Sequence, residues 1–356
     1  MKGLTFHGKE TLKYETVADP TVEDSLDVIV KVELAGLCGS DLHPYLEREK
    51  GLDFGTVMGH EFVGEIVEVG GGVAGLSVGD RVFSPFTTNC GDCFYCRHGL
   101  TCRCTKGQLF GWREKGTGLH GGQAEMVRVP LADATLMRVP EGISPEEALL
   151  MGDIFSTGFF CAEQAGAGPD GTYVVVGCGP VGLMTMTAAR ELGVERLFAV
   201  DLIPDRLALA EQFGANPIHL LNEDAVAIVK DVTDGRGADG VMEVVGNQPA
   251  MRLATDLLRP GGTISSIGVH TEDTIAFTPV EAYDKNITFR SGRCPARYYM
   301  ERLVPVVQSQ RHDLTAIISH RMPLSEGVDA YEMFSSRRSG CIKVVLEPQR
   351  VVLEPR

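Results

Sequence analysis

Apolar strands alternate with helices between residues 172 and 291, and this alternation constrains the fold more than any other feature of the sequence. Thr172 to Val176 is a continuous apolar run, which is typical of a strand inside a parallel sheet. Five further predicted strands are Leu197 to Val200, Ile218 to Leu221, Gly240 to Val245, Gly262 to Gly268 and Ile287 to Ser291. Six strands that alternate with helices predict an α/β fold with a doubly wound parallel sheet.

A glycine-rich turn joins the first of these strands to the helix after it. The turn reads Gly177-Cys178-Gly179-Pro180-Val181-Gly182. In this context Gly177 permits a tight turn, Gly179 lets the backbone approach a pyrophosphate, and Gly182 allows close helix packing. The helix N-terminus supplies an anion site. The turn therefore predicts dinucleotide binding, with a glycine turn in an unrelated α/β domain as the alternative.

Asp201 ends the next predicted strand and bears on the choice of dinucleotide. Its carboxylate can accept hydrogen bonds from both adenosine ribose hydroxyls, and its charge would repel a 2′-phosphate. These properties favour NAD(H) over NADP(H). Arg206, five residues later, keeps NADP(H) open, although we expect its side chain to pack along the ribose.

Four cysteines form a compact cluster in the lobe at about residues 88–106. Cys90, Cys93 and Cys96 have C-x2-C-x2-C spacing, and Cys104 follows eight positions after the third. Four thiolates around one point form the closed tetrahedral cage that structural Zn²⁺ prefers. Cys102 also lies in range as the fourth ligand. A disulfide knot and free thiols are the other interpretations.

Length and composition set the outer limits. A chain of 356 residues exceeds the usual size of a single core, so two domains are expected. The net charge of −15 argues against nucleic acid as a partner, and no apolar run has the length of a membrane span. Met1 to Phe6 lacks the apolar core of a signal peptide, and ten cysteines fit a reducing compartment. We therefore expect a cytoplasmic protein.

The two ends of the chain share a β-rich texture. Short strands predicted at Val28 to Leu34, Phe62 to Val69 and Ala124 to Val129 are separated by Gly and Pro. A helix predicted from Arg297 to Gln310 and a strand predicted from Cys341 to Leu346 are similar in pattern to the first 150 residues. We therefore predict one domain from residues 1–152 and 296–356, and an inserted dinucleotide domain from residues 153–295. Residues 350–356 are interpreted as a tail.

A second metal site is indicated by dispersed residues. Cys38 follows a predicted strand, and His60 precedes another. A catalytic zinc needs a few protein ligands and one open position, and thiolate and imidazole are suitable ligands. A lone Cys or His is more often a core residue, so only the joint pattern carries weight.

That joint pattern resembles the zinc-dependent medium-chain alcohol dehydrogenases over essentially the whole chain. It comprises Cys38-x-Ser40-Asp41-x-His43, Gly59-His60-Glu61, the four-cysteine lobe and the dinucleotide turn, in one order. The resemblance implies a Rossmann domain plus a β-rich GroES-like catalytic domain. It makes Cys38 and His60 catalytic zinc ligands, with Asp153 as the third, where many members carry cysteine.

The resemblance also assigns roles around the metal and the cofactor. Glu61 is either a fourth ligand or a carboxylate behind the ligands, and Asp41 orients His60. Ser40 and His43 relay the alcohol proton to water through a ribose hydroxyl. The expected cofactor contacts are Thr157 against the nicotinamide, Ser266, Gly268 and Val269 beneath it, and Lys343 at the pyrophosphate. Lys343 could instead be a solvated strand lysine.

The substrate is the least constrained part of the interpretation. Gly111-Trp112 and Cys294-Pro295 are similar to the bacterial secondary-alcohol dehydrogenases, whose matching tryptophan walls the substrate pocket. An ordinary buried core aromatic is the alternative for Trp112. We expect two Zn²⁺ and NAD per chain, a small secondary alcohol or diol as substrate, and a homo-oligomer (tetramer or dimer). Polyol, threonine and formaldehyde dehydrogenases are alternatives, and a zinc-free quinone reductase or a non-catalytic relative is more remote because Cys38, Ser40, His43 and His60 are all present.

Overall fold

The computed structural model describes residues 1–348, and the chain divides into two compact units. The first unit contains Met1–Asp153 and the described residues from Pro295 onward, and the second contains Ile154–Cys294. Asp153 and Pro295 group with the first unit, so each observed boundary differs by one residue from the predicted one. The predicted tail at residues 350–356 lies outside the described residues.

The first unit begins with short elements. Its strands up to Asp153 are β1 (Lys2–Phe6), β2 (Leu12–Thr16), β3 (Val28–Gly36), β4 (Glu61–Val69), β5 (Arg81–Phe83), β6 (Trp112–Glu114), β7 (Thr117–Leu119), β8 (Met126–Val129) and β9 (Met137–Arg138). Its helices there are α1 (Leu42–Tyr45), α2 (Phe94–Arg97), α3 (Ala132–Thr135) and α4 (Pro145–Gly152). The short strands match the predicted β-rich texture. Ser144 caps α4 with a capping box. Its hydroxyl accepts a hydrogen bond from the Glu147 backbone N–H, and the Glu147 carboxylate accepts one from the Ser144 backbone N–H.

The second unit is a regular α/β domain. Its elements are α5 (Ile154–Gln164), β10 (Thr172–Val176), α6 (Pro180–Glu191), β11 (Arg196–Asp201), α7 (Pro204–Gln212), β12 (Asn216–His219), α8 (Ala225–Asp231), β13 (Ala238–Glu243), α9 (Gln248–Leu257), β14 (Leu258–Ser266), α10 (Pro279–Lys285) and β15 (Thr288–Ser291). The six strands are all parallel, in the order β12-β11-β10-β13-β14-β15. This order, with β10 and β13 adjacent at the centre, confirms the predicted doubly wound sheet.

The last part of the described chain rejoins the first unit. It supplies α11 (Ala296–Gln308), β16 (Ile318–Pro323), α12 (Gly327–Ser336) and β17 (Lys343–Glu347). A seven-stranded sheet has the order β16-β17-β3-β4-β5-β9, and β8 also pairs with β3. β17 is antiparallel to β3, with Leu346 opposite Ala35, so the two ends of the chain share one sheet.

The register of β3 and β4 sets up the site. Gly36 at the end of β3 lies opposite Glu61 at the start of β4. Residues that follow β3, begin β4 and begin β17 therefore meet at one end of this sheet. Within the described residues, no helix has the length and apolar character needed to cross a membrane.

Candidate functional site

Four potential metal ligands converge at that end of the sheet. Cys38 follows β3, His60 and Glu61 lie at the start of β4, and Asp153 follows α4. All four side chains are buried, and one donor atom from each lies within 4.8 Å of the others. The four residues that the sequence proposed as catalytic ligands are thus brought together from three separate segments.

Asp41 holds two of these ligands in place. Its Oδ1 lies 3.2 Å from Nδ1 of His60, and its Oδ2 accepts a 2.9 Å hydrogen bond from the backbone N–H of Cys38. Because Nδ1 faces an acceptor, it carries a proton, and Nε2 is the ring nitrogen directed toward the cluster. Nε2 lies 3.4 Å from Oδ2 of Asp153. This is the arrangement that the resemblance implies for Asp41.

The electrostatics of the cluster fit a divalent cation. Burial and the charge of Asp153 raise the pKa of the Cys38 thiol. Burial also opposes ionisation of Asp153, but the hydrogen bond and charge of His60 lower the pKa of Asp153 to about 2. Burial alone would lower the pKa of His60, yet Asp41 and Asp153 raise it well above its usual range. Zn²⁺ binds sulfur, nitrogen and carboxylate donors of this kind, and its positive charge would offset their negative charge.

Glu61 has a second partner on its other side. The ammonium of Lys343 donates a 2.7 Å hydrogen bond to Oε1 of Glu61 and a 2.9 Å hydrogen bond to the Leu37 carbonyl. Neither charged side chain is exposed to solvent. Burial raises the pKa of Glu61 to about 7, although the charge of Lys343 opposes this rise.

The surroundings of Lys343 differ from both sequence interpretations. A lysine with no exposed surface is not a solvated strand lysine, so that alternative is wrong. The structure also gives its ammonium Glu61 as a partner instead of the pyrophosphate that the resemblance implies. Sequence reasoning missed this ion pair because Glu61 and Lys343 are 282 positions apart.

The two predicted relay residues lie next to the cluster along the chain. The Ser40 hydroxyl is 3.2 Å from Sγ of Cys38 and 3.2 Å from Nε2 of His60, so it touches two of the ligands. His43 lies in α1 and is half-buried. Burial, reinforced by the charge of Arg48, lowers the pKa of His43, and its buried Nδ1 has no hydrogen-bond partner among residues 1–348. His43 is therefore neutral at pH 7 and able to accept a proton.

Trp112 opens the two-stranded sheet of β6 and β7 and packs against the core of the first unit. It is half-buried. Its neighbour Gly111 lies against the segment that carries His60, because a Cβ on Gly111 would be 2.9 Å from the Gly59 nitrogen. The residue before Trp112 is therefore packed against the residue before His60.

The four-cysteine lobe forms a second cluster. Donor atoms of Cys90, Cys93, Cys96 and Cys104 all lie within 4.8 Å of one another. Backbone N–H groups support the sulfurs: Cys90 donates to Cys104, and Cys93 donates to Cys90. Hydrogen bonds from the backbone at Cys96 and Thr105 lower the pKa of Cys93 to about 6, which favours its thiolate. This set includes Cys104 and not Cys102, and its four sulfurs fit a structural Zn²⁺.

The glycine turn of the second unit has the geometry of an anion site. Gly177 has φ +102°, which a side chain would disfavour, and a Cβ on Gly182 would lie 1.9 Å from the Gly177 carbonyl oxygen. A Cβ on Gly179, which precedes α6, would meet only the end of the Arg206 side chain, in ordinary contact at 3.7 Å. The backbone at Gly179 is therefore free to approach a phosphate group.

Asp201 is fixed beside this turn. Its Oδ2 accepts a 2.7 Å hydrogen bond from the Cys178 amide. Its Oδ1 accepts from the Leu202 and Ile203 amides at 2.7 and 3.0 Å. These bonds hold a carboxylate at the end of β11, next to Gly179 and Arg206, where the sequence pattern expects a ribose.

The remaining predicted cofactor residues differ in their exposure to solvent. Thr157 is half-buried in α5, and Val269 is 46% exposed just beyond Gly268. Ser266, in contrast, is fully buried and donates a 2.7 Å hydrogen bond to Glu243, which itself ends β13 with no exposed surface. The Ser266 hydroxyl is thus engaged by a buried carboxylate at the end of β13. The Glu243 contact was not predicted.

Two family models match the chain. Residues 24–141 match the alcohol dehydrogenase GroES-like domain, and residues 180–309 match the zinc-binding dehydrogenase family. The first range contains all eight proposed metal ligands except Asp153, and the second begins in the glycine turn.

Several known proteins and solved structures are similar to this chain over nearly its full length. Zinc-type alcohol dehydrogenase B of Aspergillus flavus is 45% identical, with 95% of this chain and 79% of that protein covered. The uncharacterized zinc-type alcohol dehydrogenase-like protein AdhB of Bacillus subtilis is 35% identical, with 98% and 100% covered. The structure of alcohol dehydrogenase TADH from Thermus sp. ATN1 superposes with a TM-score of 0.92 at 37% identity, covering 98% of this chain and 99% of that one.

Proposed function

The chain belongs to the zinc-dependent medium-chain alcohol dehydrogenase family, and from this premise we propose that it oxidises small secondary alcohols or vicinal diols with NAD⁺, reversibly. The family and the α/β fold predicted from the sequence are confirmed. The observation that carries the proposal is the buried cluster of Cys38, His60, Glu61 and Asp153, in a chain that also has a glycine turn beside a fixed carboxylate.

The metal-ligand residues have separate tasks in this proposal. Cys38, His60 and Asp153 would hold Zn²⁺, and Asp41 keeps His60 in the tautomer that leaves Nε2 available. Glu61 is held by Lys343, so we assign it to a place behind the three ligands. Zinc bound there would act as a Lewis acid toward the alcohol oxygen and make its proton more acidic.

Proton removal is assigned to Ser40 and His43. The Ser40 hydroxyl touches Cys38 and His60, so an alcohol oxygen that approaches these ligands also approaches Ser40. His43 is neutral near pH 7, as an acceptor at the solvent end of a relay must be. The hydride from the alcohol carbon would go to NAD⁺, whose pyrophosphate we place at Gly177, Gly179 and Gly182.

We assign the preference for NAD⁺ to Asp201. Its negative charge would lie where NADP⁺ carries a 2′-phosphate, and its oxygens would accept from the ribose hydroxyls of NAD⁺. Arg206 lies next to Gly179, at a place from which it could contact a phosphate of either cofactor. We propose one dinucleotide and two Zn²⁺ per chain.

Trp112 supports the proposed substrate class. Gly111 lies against Gly59, so the indole is tied to the segment that carries His60. A flat apolar wall near the ligands suits a substrate with a small alkyl group on each side of the carbinol carbon. Polyols, threonine and formaldehyde are the competing substrates. We also propose a cytoplasmic homo-oligomer, in line with the ten cysteines of the sequence, which fit a reducing compartment.

A substrate panel tests the proposal. Zinc-loaded protein is assayed for NADH formation with 2-propanol, 2,3-butanediol, ethanol, sorbitol, threonine and formaldehyde, each with NAD⁺ and with NADP⁺. We expect 2-propanol or 2,3-butanediol with NAD⁺ to give the highest kcat/KM. Turnover of formaldehyde alone or threonine alone would contradict the substrate class, and a tenfold preference for NADP⁺ would contradict the role of Asp201.

A further inference from the structure

A buried polar pair behind the metal cluster has no part in the function proposed so far. Gln123 precedes β8 and Tyr331 lies in α12, and neither side chain is exposed to solvent. The Tyr331 hydroxyl donates a 2.8 Å hydrogen bond to Oε1 of Gln123. Buried amides and hydroxyls are costly unless they are paired, so a connected polar pair in a core needs an explanation.

Gln123 continues this connection to the ligands. Its Nε2 donates to the Gly36 carbonyl at 3.2 Å and, more weakly, to Oδ2 of Asp41 at 3.4 Å. Both of these partners only accept, so the amide nitrogen must face them and the amide oxygen must face Tyr331. The hydrogen bonds therefore run in one direction, from Tyr331 through Gln123 to Asp41.

Asp41 is the point at which this chain meets the metal ligands. Besides the Gln123 amide, its carboxylate accepts from the Cys38 backbone and from Nδ1 of His60. Three donors from three parts of the fold thus fix one carboxylate, and that carboxylate fixes two ligands. Burial raises the pKa of Tyr331 well above its usual range, so its hydroxyl keeps the proton that it donates.

Packing at Gly59 gives independent support. A Cβ on Gly59 would lie 2.4 Å from Cγ of Gln123, so the Gln123 side chain rests directly on the residue before His60. Gly59 also has φ +89°, which glycine adopts without strain. The Gln123 backbone completes the contact, because its N–H donates to the Met58 carbonyl at 2.9 Å. Gln123 therefore touches the His60 segment as well as Asp41.

We propose that Gln123 and Tyr331 are positioning residues of the metal centre, and that they set its affinity and donor geometry by fixing Asp41. This inference rests on the proposed function, because it requires a metal at Cys38, His60 and Asp153. Residues behind metal ligands commonly contribute 10- to 100-fold to metal affinity. Gln123 acts one step further out, so we expect the lower end of this range.

The test compares Gln123→Met, Tyr331→Phe and the double variant with the wild type. Methionine keeps the length of the side chain that lies on Gly59 and removes its donor and acceptor. Tyr45→Phe is the matched control, because Tyr45 belongs to the same core and its ring lies 5.3 Å from that of Tyr331, but outside the hydrogen-bonded chain. Zinc affinity is measured by chelator competition, and cobalt(II) spectra report the donor set, since the four-thiolate and mixed-donor sites absorb differently.

We expect Gln123→Met to weaken the mixed-donor site by about tenfold and to shift its cobalt bands, while the four-cysteine site is unchanged. Tyr331→Phe should lower the zinc affinity of the same site by about threefold, because one hydrogen bond is lost. The double variant should match Gln123→Met, because Tyr331 acts through Gln123. Two results would overturn the inference. One is wild-type zinc affinity and a wild-type cobalt spectrum in both single variants. The other is a double variant whose loss of zinc affinity is the sum of the two single losses and extends to the four-cysteine site.

The two proposals fail in different ways. A wild-type protein that binds cobalt only at the four-cysteine site would refute the proposed function and this inference together. A wild-type protein that binds cobalt at both sites, with Gln123→Met indistinguishable from it, would refute this inference alone. If Gln123→Met does not fold, Tyr331→Phe against Tyr45→Phe decides the question by itself.

Discussion

Lys343→Met should destabilise the first unit strongly. The substitution removes the cation from a pair whose two side chains have no exposed surface. Glu61 then either stays ionised without a partner or takes up a proton that it does not carry when exposed, and both cost free energy. The same ammonium also donates to the Leu37 carbonyl, which would lose that hydrogen bond. Breaking a buried ion pair in this way costs about 3–5 kcal/mol. We therefore expect the free energy of unfolding to fall by about that amount.

Urea unfolding followed by tryptophan fluorescence measures this effect. Trp112 is the only tryptophan in the chain and lies in the first unit, so its emission reports on the unit that contains the pair. Variant and wild type are compared at equal zinc content. Lys50→Met is the control, because Lys50 is exposed in the same unit and its loss should change stability by less than about 0.5 kcal/mol.

A second variant separates charge from packing. Lys343→Met combined with Glu61→Gln removes both charges, so most of the lost stability should return if the uncompensated carboxylate is the cause. A Lys343→Met protein within about 1 kcal/mol of the wild type would refute the reasoning, because neither an unpaired buried carboxylate nor its forced protonation is that inexpensive. If the double variant is no more stable than Lys343→Met, the loss of stability comes from packing and not from charge.

Three further predictions concern the other residues of the proposal. Asp201→Gly should raise KM for NAD⁺ and lower it for NADP⁺, and unchanged cofactor kinetics would contradict its ribose role. Cys93→Ser should remove one of two zinc equivalents in elemental analysis and lower the unfolding temperature, and retention of both ions would exclude a four-thiolate cage. His43→Ala should retain measurable turnover. The wild-type rate should fall as pH drops through the lowered pKa of His43, because protonation blocks the relay, and this limb of the pH–rate profile should be absent from the variant.

The dinucleotide unit was largely predictable from sequence because each of its elements carries a local signal. The strand predicted at Thr172 to Val176 has those bounds in the structure, and the predicted glycine turn leads directly into α6, which begins at Pro180. Buried parallel strands are continuous apolar runs, and glycine turns mark where they end. Helix α5 was missed because it is apolar on most of its surface and lacks the alternating polar face that indicates a helix.

Some missed features did carry a signal. The sequence Ser144-Pro145-Glu146-Glu147 is a capping box with proline at the first helical position, and it predicts the start of α4. Recognition of α4 would have placed Asp153 directly after a helix.

The candidate site was predictable only in part. Short motifs marked Cys38, His60 and Glu61, and the family resemblance supplied Asp153; the structure places these four residues in one cluster. The support behind them does not follow from any motif. Lys343 reaches Glu61, and Tyr331 reaches Gln123, across 282 and 208 positions, so these contacts depend on how β17 and α12 dock on the first unit.

Zinc content and activity of His60→Ala test the central claim most directly. The wild type, purified without chelator, should contain two zinc ions per chain and oxidise 2-propanol with NAD⁺. His60→Ala should retain one zinc ion, held by the four cysteines, and should lose alcohol oxidation by more than about 10³-fold, because a mispositioned or absent Lewis acid removes most of the catalysis. Two zinc ions and full activity in His60→Ala would show that the metal centre is not formed by Cys38, His60 and Asp153.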